Sequence, residues 1–203
     1  MGNVQDEYSK TGREKGREHF DGIENEYERM IVQIVPSSRD FFGSVLSLIP
    51  EGPARILELG SGTGFVTSMI ARSNPEAAIT CIDLSPGMLE VAKAKPELSN
   101  VEFITGDIRE TWGDGLYDVV LTTLCLHHLP DGDRAGIIEK IYHSLNDGGV
   151  FLNGDVFAAE SEKEERLNMA WWHDAMMENG FSREEADAMI RKRALNTAYL
   201  DTV

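Results

Sequence analysis

Hydrophobic positions recur with two different periods along the chain. Between Arg13 and Ile49 the apolar side chains return every three or four positions, which is the period of amphipathic helices, with a break at Pro36. We expect one helix over 13–35 and a second over 38–49, ended by Pro50-Glu51-Gly52-Pro53. Beyond this point Val, Ile and Leu form short continuous runs, which are typical of strands covered on both faces.

The middle of the chain alternates these strands with helices, an order that predicts a parallel sheet and hence an α/β fold. Ser85 is expected to cap the helix that Pro86 begins. After Asp155 only helical patterns remain, at 161–179 and from Ser182, where Ser182 and Glu185 form a capping box. The predicted strands are 54–59, 78–83, 101–105, 117–123 and 149–156, and the helices between them are 64–73, 86–94 and 131–146, the last stopped by Asp147-Gly148-Gly149.

Length and charge narrow the class of protein. The 203 residues fit one globular domain, and a net charge of -16 argues against nucleic-acid binding, because Lys and Arg must displace the counterions of a phosphate backbone. We find no signal peptide, no membrane span and no cluster of metal ligands. Cys81 and Cys125 are too few for a disulfide framework. We therefore expect a cytoplasmic protein with reduced thiols, without a membrane, nucleic-acid or metal partner.

Three glycines, Gly60, Gly62 and Gly64, follow the first predicted strand at alternate positions. Glycine tolerates positive φ and lets a ligand lie against the backbone, so this turn predicts a nucleotide-like ligand. Asp83 ends the second strand and should reach the same sheet edge, because strands one and two are neighbours in a right-handed parallel fold. Its two oxygens can accept both hydroxyls of a ribose.

Glu58 distinguishes between two classes of nucleotide ligand. Dinucleotide folds place a diphosphate at a Gly-x-Gly-x-x-Gly turn, whereas here the third glycine comes one residue early and Glu58 would repel a diphosphate. A buried carboxylate favours a cationic partner, so S-adenosylmethionine, with its ammonium and sulfonium groups, fits better than NAD. The alternatives are a nicotinamide oxidoreductase and, for Glu58 itself, a salt bridge to a protein base.

Four ordered motifs resemble those of the class I S-adenosylmethionine-dependent methyltransferases: residues 58–64, residues 83–88, Gly106-Asp107-Ile108 and Leu126-His127-His128-Leu129. The resemblance implies a doubly wound, Rossmann-like sheet of order 3-2-1-4-5, the cofactor S-adenosylmethionine, and methyl transfer to a small-molecule acceptor. The family closes its sheet with a sixth and an antiparallel seventh strand, and no segment after Asp155 matches them. We therefore expect strand five to be an edge, either because the chain is truncated or because another subunit covers it, as in a homodimer.

The resemblance also implies individual roles. Asp107 would accept from the adenine amine, Leu84 and Met88 would sandwich the adenine, and a backbone carbonyl near Thr123 would meet the methionine ammonium. Met88 could instead be plain core and Asp107 a turn residue. No catalytic residue is indicated firmly, and the candidates are His127, His128 and Tyr27. The expected cofactor-binding residues are Glu58, Gly60, Ser61, Gly62, Gly64, Asp83, Leu84, Met88, Asp107, Ile108, Thr123 and Leu124.

We divide the chain into an N-terminal helical segment, 1–53, a cofactor-binding core, 54–157, and a C-terminal helical segment, 158–203. The first segment either packs on the sheet or forms a lid over the ligand. Residues 19–36 are also similar to carboxy-S-adenosylmethionine synthase and its relatives that modify tRNA uridines; a non-catalytic cofactor-binding subunit is the remaining alternative. The candidate lid residues are Tyr8, His19, Phe20 and Tyr27, and those for an acceptor-pocket wall, or for helix packing, are Trp171, Trp172 and His173.

Overall fold

The computed structural model of the chain describes Glu24 and residues 26–196. Its centre is a parallel sheet in the order β3-β2-β1-β4-β5, which is the predicted doubly wound α/β fold. The order reverses between β1 and β4, and ligands of open parallel sheets bind at such a point, beyond the carboxyl ends of the strands. The strands are β1 (Arg55–Leu59), β2 (Ala78–Asp83), β3 (Glu102–Thr105), β4 (Tyr117–Thr123) and β5 (Leu145–Gly154).

Helices cover both faces of this sheet. Side chains alternate along β1, so that Ile56 joins an apolar cluster with Phe42 and Ile70 on one face, while Leu57 joins Ile137 and Ile141 on the other. The described helices are α1 (Tyr27–Ile34), α2 (Ser38–Leu46), α3 (Phe65–Ser73), α4 (Pro86–Lys93), α5 (Asp131–Ser144), α6 (Glu162–Glu178) and α7 (Arg183–Asn196), with short 3₁₀ helices at Pro96–Leu98 and Leu126–His128.

Two predicted helix caps are confirmed. The Ser85 hydroxyl accepts from the Met88 backbone N–H at 3.3 Å at the start of α4. Ahead of α7, the Ser182 hydroxyl accepts from the Glu185 N–H at 3.3 Å, and the Glu185 carboxylate accepts from the Ser182 N–H at 2.8 Å. Each cap satisfies an N–H group that the first turn of a helix leaves without a partner.

The fifth strand differs from the prediction at both ends. Helix α5 ends at Ser144 and β5 runs over Leu145–Gly154, so Asp147-Gly148-Gly149 lies within a strand and the predicted helix stop is wrong. The strand bulges there, because the step from Tyr117 to Val119 on β4 matches the step from Leu145 to Val150 on β5. Gly148 takes a φ of 80° in this bulge. Pairing with β4 therefore overrides the local signal.

The two helical segments meet each other beside the sheet. Trp172 of α6 donates from its indole Nε1 to the Ile34 carbonyl of α1 at 2.7 Å. Gln33 and Asn179 each donate from their side-chain amide to the other's backbone carbonyl at 2.9 Å. Of the helix predicted over 13–35, the structure describes α1, whereas Tyr8, His19 and Phe20 lie outside the described residues. The second helix ends at Leu46, three residues before the predicted Ile49.

Within residues 155–196 no further strand follows, and in the described part of the chain β5 pairs only with β4, so it is the expected edge. None of the described helices is both long and apolar enough to cross a membrane.

Candidate active site

The glycine turn lies at the carboxyl edge of the sheet, between β1 and α3. The Gly60 N–H donates to the Ile82 carbonyl at the end of β2 at 2.8 Å, which ties the turn to its neighbouring strand. Gly60, Gly62 and Gly64 have φ values of 71°, 55° and 72°, so all three adopt the left-handed conformation that the sequence predicted.

The space around the three glycines differs. A Cβ atom on Gly60 would lie 2.4 Å from the Cys125 sulfur, and one on Gly64 would lie 2.8 Å from a methyl group of Leu98. A Cβ atom on Gly62 would meet nothing within 4 Å. The contacts of the protein itself therefore account for two of the glycines, and Gly62 is the one with room for a ligand beside it.

Asp83 holds this turn in place. Its Oδ2 accepts from the Gly62 N–H at 2.7 Å and its Oδ1 accepts from the Ser85 N–H at 2.8 Å. Burial raises the pKa of Asp83, while these two N–H groups act in the opposite direction. A carboxylate has about four lone-pair positions, so each oxygen can still accept a ligand hydroxyl. The role in shaping the turn was not evident from the sequence.

Glu58 is a buried carboxyl group, only 1% exposed, beneath the turn. Its Oε2 accepts from the Thr67 hydroxyl at 2.6 Å, and the Cys81 thiol lies 3.8 Å away. Burial raises the pKa of Glu58 to about 7. Among the described residues Glu58 forms no ion pair, so the salt bridge to a protein base is not found there.

The predicted adenine contacts differ in their surroundings. Asp107 binds Arg109 through two side-chain contacts, from Nε at 2.9 Å and Nη2 at 2.6 Å, and Arg109 also reaches Asp133 of α5 at 2.8 Å. Any ligand amine must therefore share Asp107 with this guanidinium. Met88 and Ile108 are 2% and 7% exposed and belong to the core, whereas Leu84 is half-buried at the rim.

The chain turns sharply after β4. Leu124 has a φ of 51°, a conformation that is rare for a side chain of this size and is often found at functional sites. Its N–H donates to the Gly154 carbonyl at the end of β5 at 2.8 Å. The turn places Cys125 against Gly60, and burial followed by the charges of Asp83 and Asp155 raises the pKa of the Cys125 thiol to about 12. This thiol therefore stays protonated, which disfavours a reactive role.

Two residues further on, His127 contacts Asp155, which directly follows β5. The imidazole Nδ1 lies 2.6 Å from Asp155 Oδ1, and the His127 backbone N–H donates to Oδ2 at 3.2 Å. The His128 ring centroid is 3.9 Å from that of His127, but His128 is exposed. Sequence reasoning missed Asp155 as a site residue, because its partner is 28 residues away.

The first described helix also reaches this edge. Burial, with smaller contributions from Cys125 and Asp83, raises the pKa of Tyr27 to about 12. The Glu28 Oε1 accepts from the Thr63 hydroxyl at 2.9 Å and pairs with Lys95, just beyond α4. The N-terminal helix is thus fastened to the glycine turn.

Two of the three aromatic candidates on α6 contact neighbouring helices. Trp172 bonds α1, as described above, and His173 Nε2 lies 3.1 Å from Asp187 of α7. Trp171 is 60% exposed. Of the two alternatives left open by the sequence, the packing role accounts for Trp172 and His173. Cys81 is fully buried in the core.

Comparison with known proteins identifies the family. Residues 56–149 match a family model described as a methyltransferase domain. The carboxy-S-adenosyl-L-methionine synthase of Klebsiella pneumoniae subsp. pneumoniae is 31% identical over 185 residues, which are 86% of this chain and 73% of the relative. The chain belongs to the class I S-adenosylmethionine-dependent methyltransferases. This methyltransferase family is the one that the four motifs indicated, and its cofactor is S-adenosylmethionine.

Other relatives share a smaller part of their own length with this chain. The malonyl-[acyl-carrier protein] O-methyltransferase of Bacillus anthracis is 37% identical over 98 residues, which are 48% of this chain and 36% of the relative. The chain thus spans about a third of the length of such relatives. A solved DhpI-SAM-HEP complex superposes with a TM-score of 0.60 at 26% identity, over 76% of this chain and 70% of that one.

Proposed function

We propose that this protein transfers a methyl group from S-adenosylmethionine to a small-molecule acceptor. The observation that carries the proposal is the convergence of three features at the switch point of the sheet. Glu58 is a buried carboxyl group with no ion pair among the described residues, Gly62 has open space beside its backbone, and Asp83 presents two oxygens next to it. A cationic nucleoside has a group suited to each feature: an ammonium for Glu58, a ribose for Asp83 and a flat edge for the open side of Gly62.

In this proposal the cofactor ammonium approaches Glu58 and the backbone near Thr123 and Leu124, while the ribose hydroxyls bond Asp83. The adenine lies beside Leu84, near the backbone of Ile108. The charge of the cofactor and that of Glu58 offset each other, so neither is buried alone. Ser61 and Gly62 belong to the turn that follows Glu58, and the Gly62 N–H donates to Asp83. Asp107 contributes only as far as its ion pair with Arg109 allows.

Methyl transfer then needs little from the protein beyond placement. The sulfonium group activates the methyl, and the acceptor attacks in line while the sulfur leaves. Holding donor and acceptor in contact can lower the barrier by roughly 7–11 kcal/mol. The residues at this edge therefore indicate the identity of the cofactor more directly than that of the acceptor.

We also propose that the segment 1–53 acts as a lid over this site. Its support is that α1 contacts the glycine turn, where Glu28 accepts from the Thr63 hydroxyl at 2.9 Å. The core, 54–157, carries the cofactor, and the C-terminal segment from residue 158 steadies the lid through Trp172 and Asn179. A lid excludes water and completes the site once the substrate is bound.

The test is the affinity of the protein for S-adenosylhomocysteine, measured by titration calorimetry. Asp83→Ala should weaken the affinity by roughly 1.5–3 kcal/mol, because it removes charged acceptors from the ribose and from the Gly62 N–H. Asp147→Ala, which removes an exposed carboxylate from the β5 bulge, is the matched control. Failure of the wild-type protein to bind S-adenosylhomocysteine would contradict the proposal; unchanged affinity in Asp83→Ala would remove only Asp83 from the site.

A second candidate function is synthesis of a carboxylated S-adenosylmethionine. It is favoured by the similarity to the Klebsiella relative, which extends over 86% of this chain. Mass spectrometry of nucleosides that co-purify with the protein separates the two. An added carboxylate on the bound nucleoside would support the synthase, and unmodified S-adenosylmethionine or S-adenosylhomocysteine would support the methyltransferase.

A further inference from the structure

His127 and Asp155 form a hydrogen-bonded pair where two neighbouring strands end. His127 follows β4 in the short 3₁₀ helix Leu126–His128, and Asp155 comes directly after β5. The side-chain contact between them is 2.6 Å from Nδ1 to Oδ1. Asp155 is fixed in turn, since its Oδ1 accepts from the Val156 N–H at 2.8 Å and its Oδ2 accepts from the His127 N–H at 3.2 Å.

This contact selects one tautomer of the imidazole. A carboxylate oxygen accepts hydrogen bonds, so Nδ1 carries a proton, and in the neutral imidazole Nε2 then keeps its lone pair. Among the described residues, no partner occupies Nε2. The His127 side chain is 17% exposed and that of Asp155 is 3% exposed, so the carboxylate is buried behind an accessible ring. Such an arrangement provides a proton acceptor held in a fixed orientation.

The pair lies on the same sheet edge as the cofactor-binding features. Cys125 is close enough to both Asp83 and Asp155 for each carboxylate to raise the pKa of its thiol. Cys125 also touches Gly60 and precedes His127 by two residues. His127 therefore follows closely on the residue that packs against the glycine turn, on the side of β4 and β5.

Charge at this edge bears on the kind of acceptor. The basic side chains that the structure describes here are already engaged: Lys95 with Glu28, Arg109 with Asp107 and Asp133, and Arg134 with Asp131. Acidic groups predominate, because the carboxylates of Asp83 and Asp155 both lie near the Cys125 thiol. A carboxylate acceptor would be repelled by them, whereas a neutral hydroxyl or an amine would not.

We propose that His127, oriented by Asp155, accepts the proton that the acceptor loses, and that this acceptor is a hydroxyl or amine compound rather than a carboxylate. The inference rests on the proposed methyl transfer. The acceptor's lone pair forms the bond to the methyl carbon, the carbon–sulfur bond breaks with its electron pair going to sulfur, and the acceptor's proton goes to Nε2. A carboxylate is already ionised and has no proton to lose, so it needs no such base.

The chemical class of the product tests the acceptor. The protein is incubated with S-adenosylmethionine radiolabelled in its methyl group and a low-molecular-mass cell extract, and the products are then treated with alkali. Methyl esters release volatile labelled methanol, whereas N-methyl and ether products keep the label. We expect alkali-stable label, and release of most of it as methanol would overturn the inference.

Variants test the two side chains in the same assay. His127→Asn should slow product formation by about 10²–10⁴-fold, the range for loss of a general base, with the affinity for S-adenosylhomocysteine unchanged. His143→Asn, an exposed histidine on α5, is the matched control. Asp155→Asn removes the carboxylate that holds the proton on Nδ1 of His127. We therefore expect ¹⁵N NMR of the histidines to show loss of the Nδ1–H tautomer of His127, and we expect the labelling assay to show a slower reaction.

The outcomes separate this inference from the proposed function. Wild-type protein that binds S-adenosylhomocysteine but forms no labelled product would overturn both the methyl transfer and the role of His127. Labelled product formed at the wild-type rate by His127→Asn would overturn the base alone. An unchanged tautomer and rate in Asp155→Asn would overturn the positioning role of Asp155.

Discussion

The carboxyl group of Glu58 lies beneath the glycine turn, where its described contacts are a hydroxyl and a thiol. Its pKa of about 7 lies above the ordinary 4.5, because burial disfavours the charged form. In the cofactor-free protein the folded state therefore takes up a proton that the unfolded state does not hold between these two values. The free energy of unfolding should fall as the pH rises through this window, and the stabilisation should be fully present only below it.

This predicts a loss of about 3 kcal/mol between about pH 5 and about pH 8, corresponding to the separation of the two pKa values. Urea unfolding of the cofactor-free protein at both pH values measures it. Glu58→Gln should remove most of the pH dependence, and Glu51→Gln, which changes an exposed carboxylate, should retain it. An equally steep dependence in Glu58→Gln would show that other groups cause it.

Glycine can be required for different physical reasons at different positions of the same motif. Gly60 and Gly64 make room for Cys125 and Leu98, whereas Gly62 faces open space. The sequence predicted the left-handed turn at all three positions, because glycine favours it. It could not distinguish ligand approach from protein packing, because Cys125 and Leu98 come from other parts of the chain.

At the level of elements, α1 is held between the glycine turn and α6. Glu28 contacts Thr63 and Lys95 on one side, and Gln33 exchanges hydrogen bonds with Asn179 on the other. The C-terminal helices are therefore connected to the candidate site by the hydrogen bonds of α1. A change at either end of this contact should alter how firmly α1 rests on the cofactor edge.

Glu28→Gln tests that contact. Partly exposed ion pairs contribute about 0.2–1 kcal/mol, so amide hydrogen exchange in α1 should become roughly one and a half to five times faster, while exchange in β1 stays unchanged. Mass spectrometry of peptides after exchange measures both elements. Glu26→Gln, an exposed neighbour at the start of the same helix, is the control. Equal exchange in all three proteins would show that the Glu28 contacts do not hold the helix.

The elements were predictable to different degrees. The first four strands were found within one residue at each end, because buried parallel strands appear as continuous apolar runs between turn residues. The start of β5 was missed, because Asp147-Gly148-Gly149 resembles a helix stop and only the pairing with β4 reveals a bulge. The roles of Glu28, Arg109 and Asp155 depend on contacts made in the fold, so periodicity alone could not identify them. The cofactor-binding assignments and the homodimer stay predictions.

For the whole molecule, the balance of 35 acidic against 19 basic residues limits its partners. Phosphate backbones bind through Lys and Arg, and those described at the candidate site are engaged in ion pairs. We expect no retention of bulk tRNA in a filter-binding assay at low salt, by protein that still binds S-adenosylhomocysteine. Retention that weakens steeply as salt is added would reveal a phosphate-binding surface. It would then favour the alternative function, the modification of tRNA uridines.

The bulge in β5 limits how the sheet can grow. Bulges turn a strand away from a new neighbour, and proteins use them to protect exposed edges from pairing with other chains. Regular pairing with β4 is confined to residues 150–154, apart from the isolated match of Leu145. An incoming strand would thus find a regular template only at the end nearest Asp155, so any chain that extended this sheet would come to lie beside the pair of His127 and Asp155 rather than at the opposite rim.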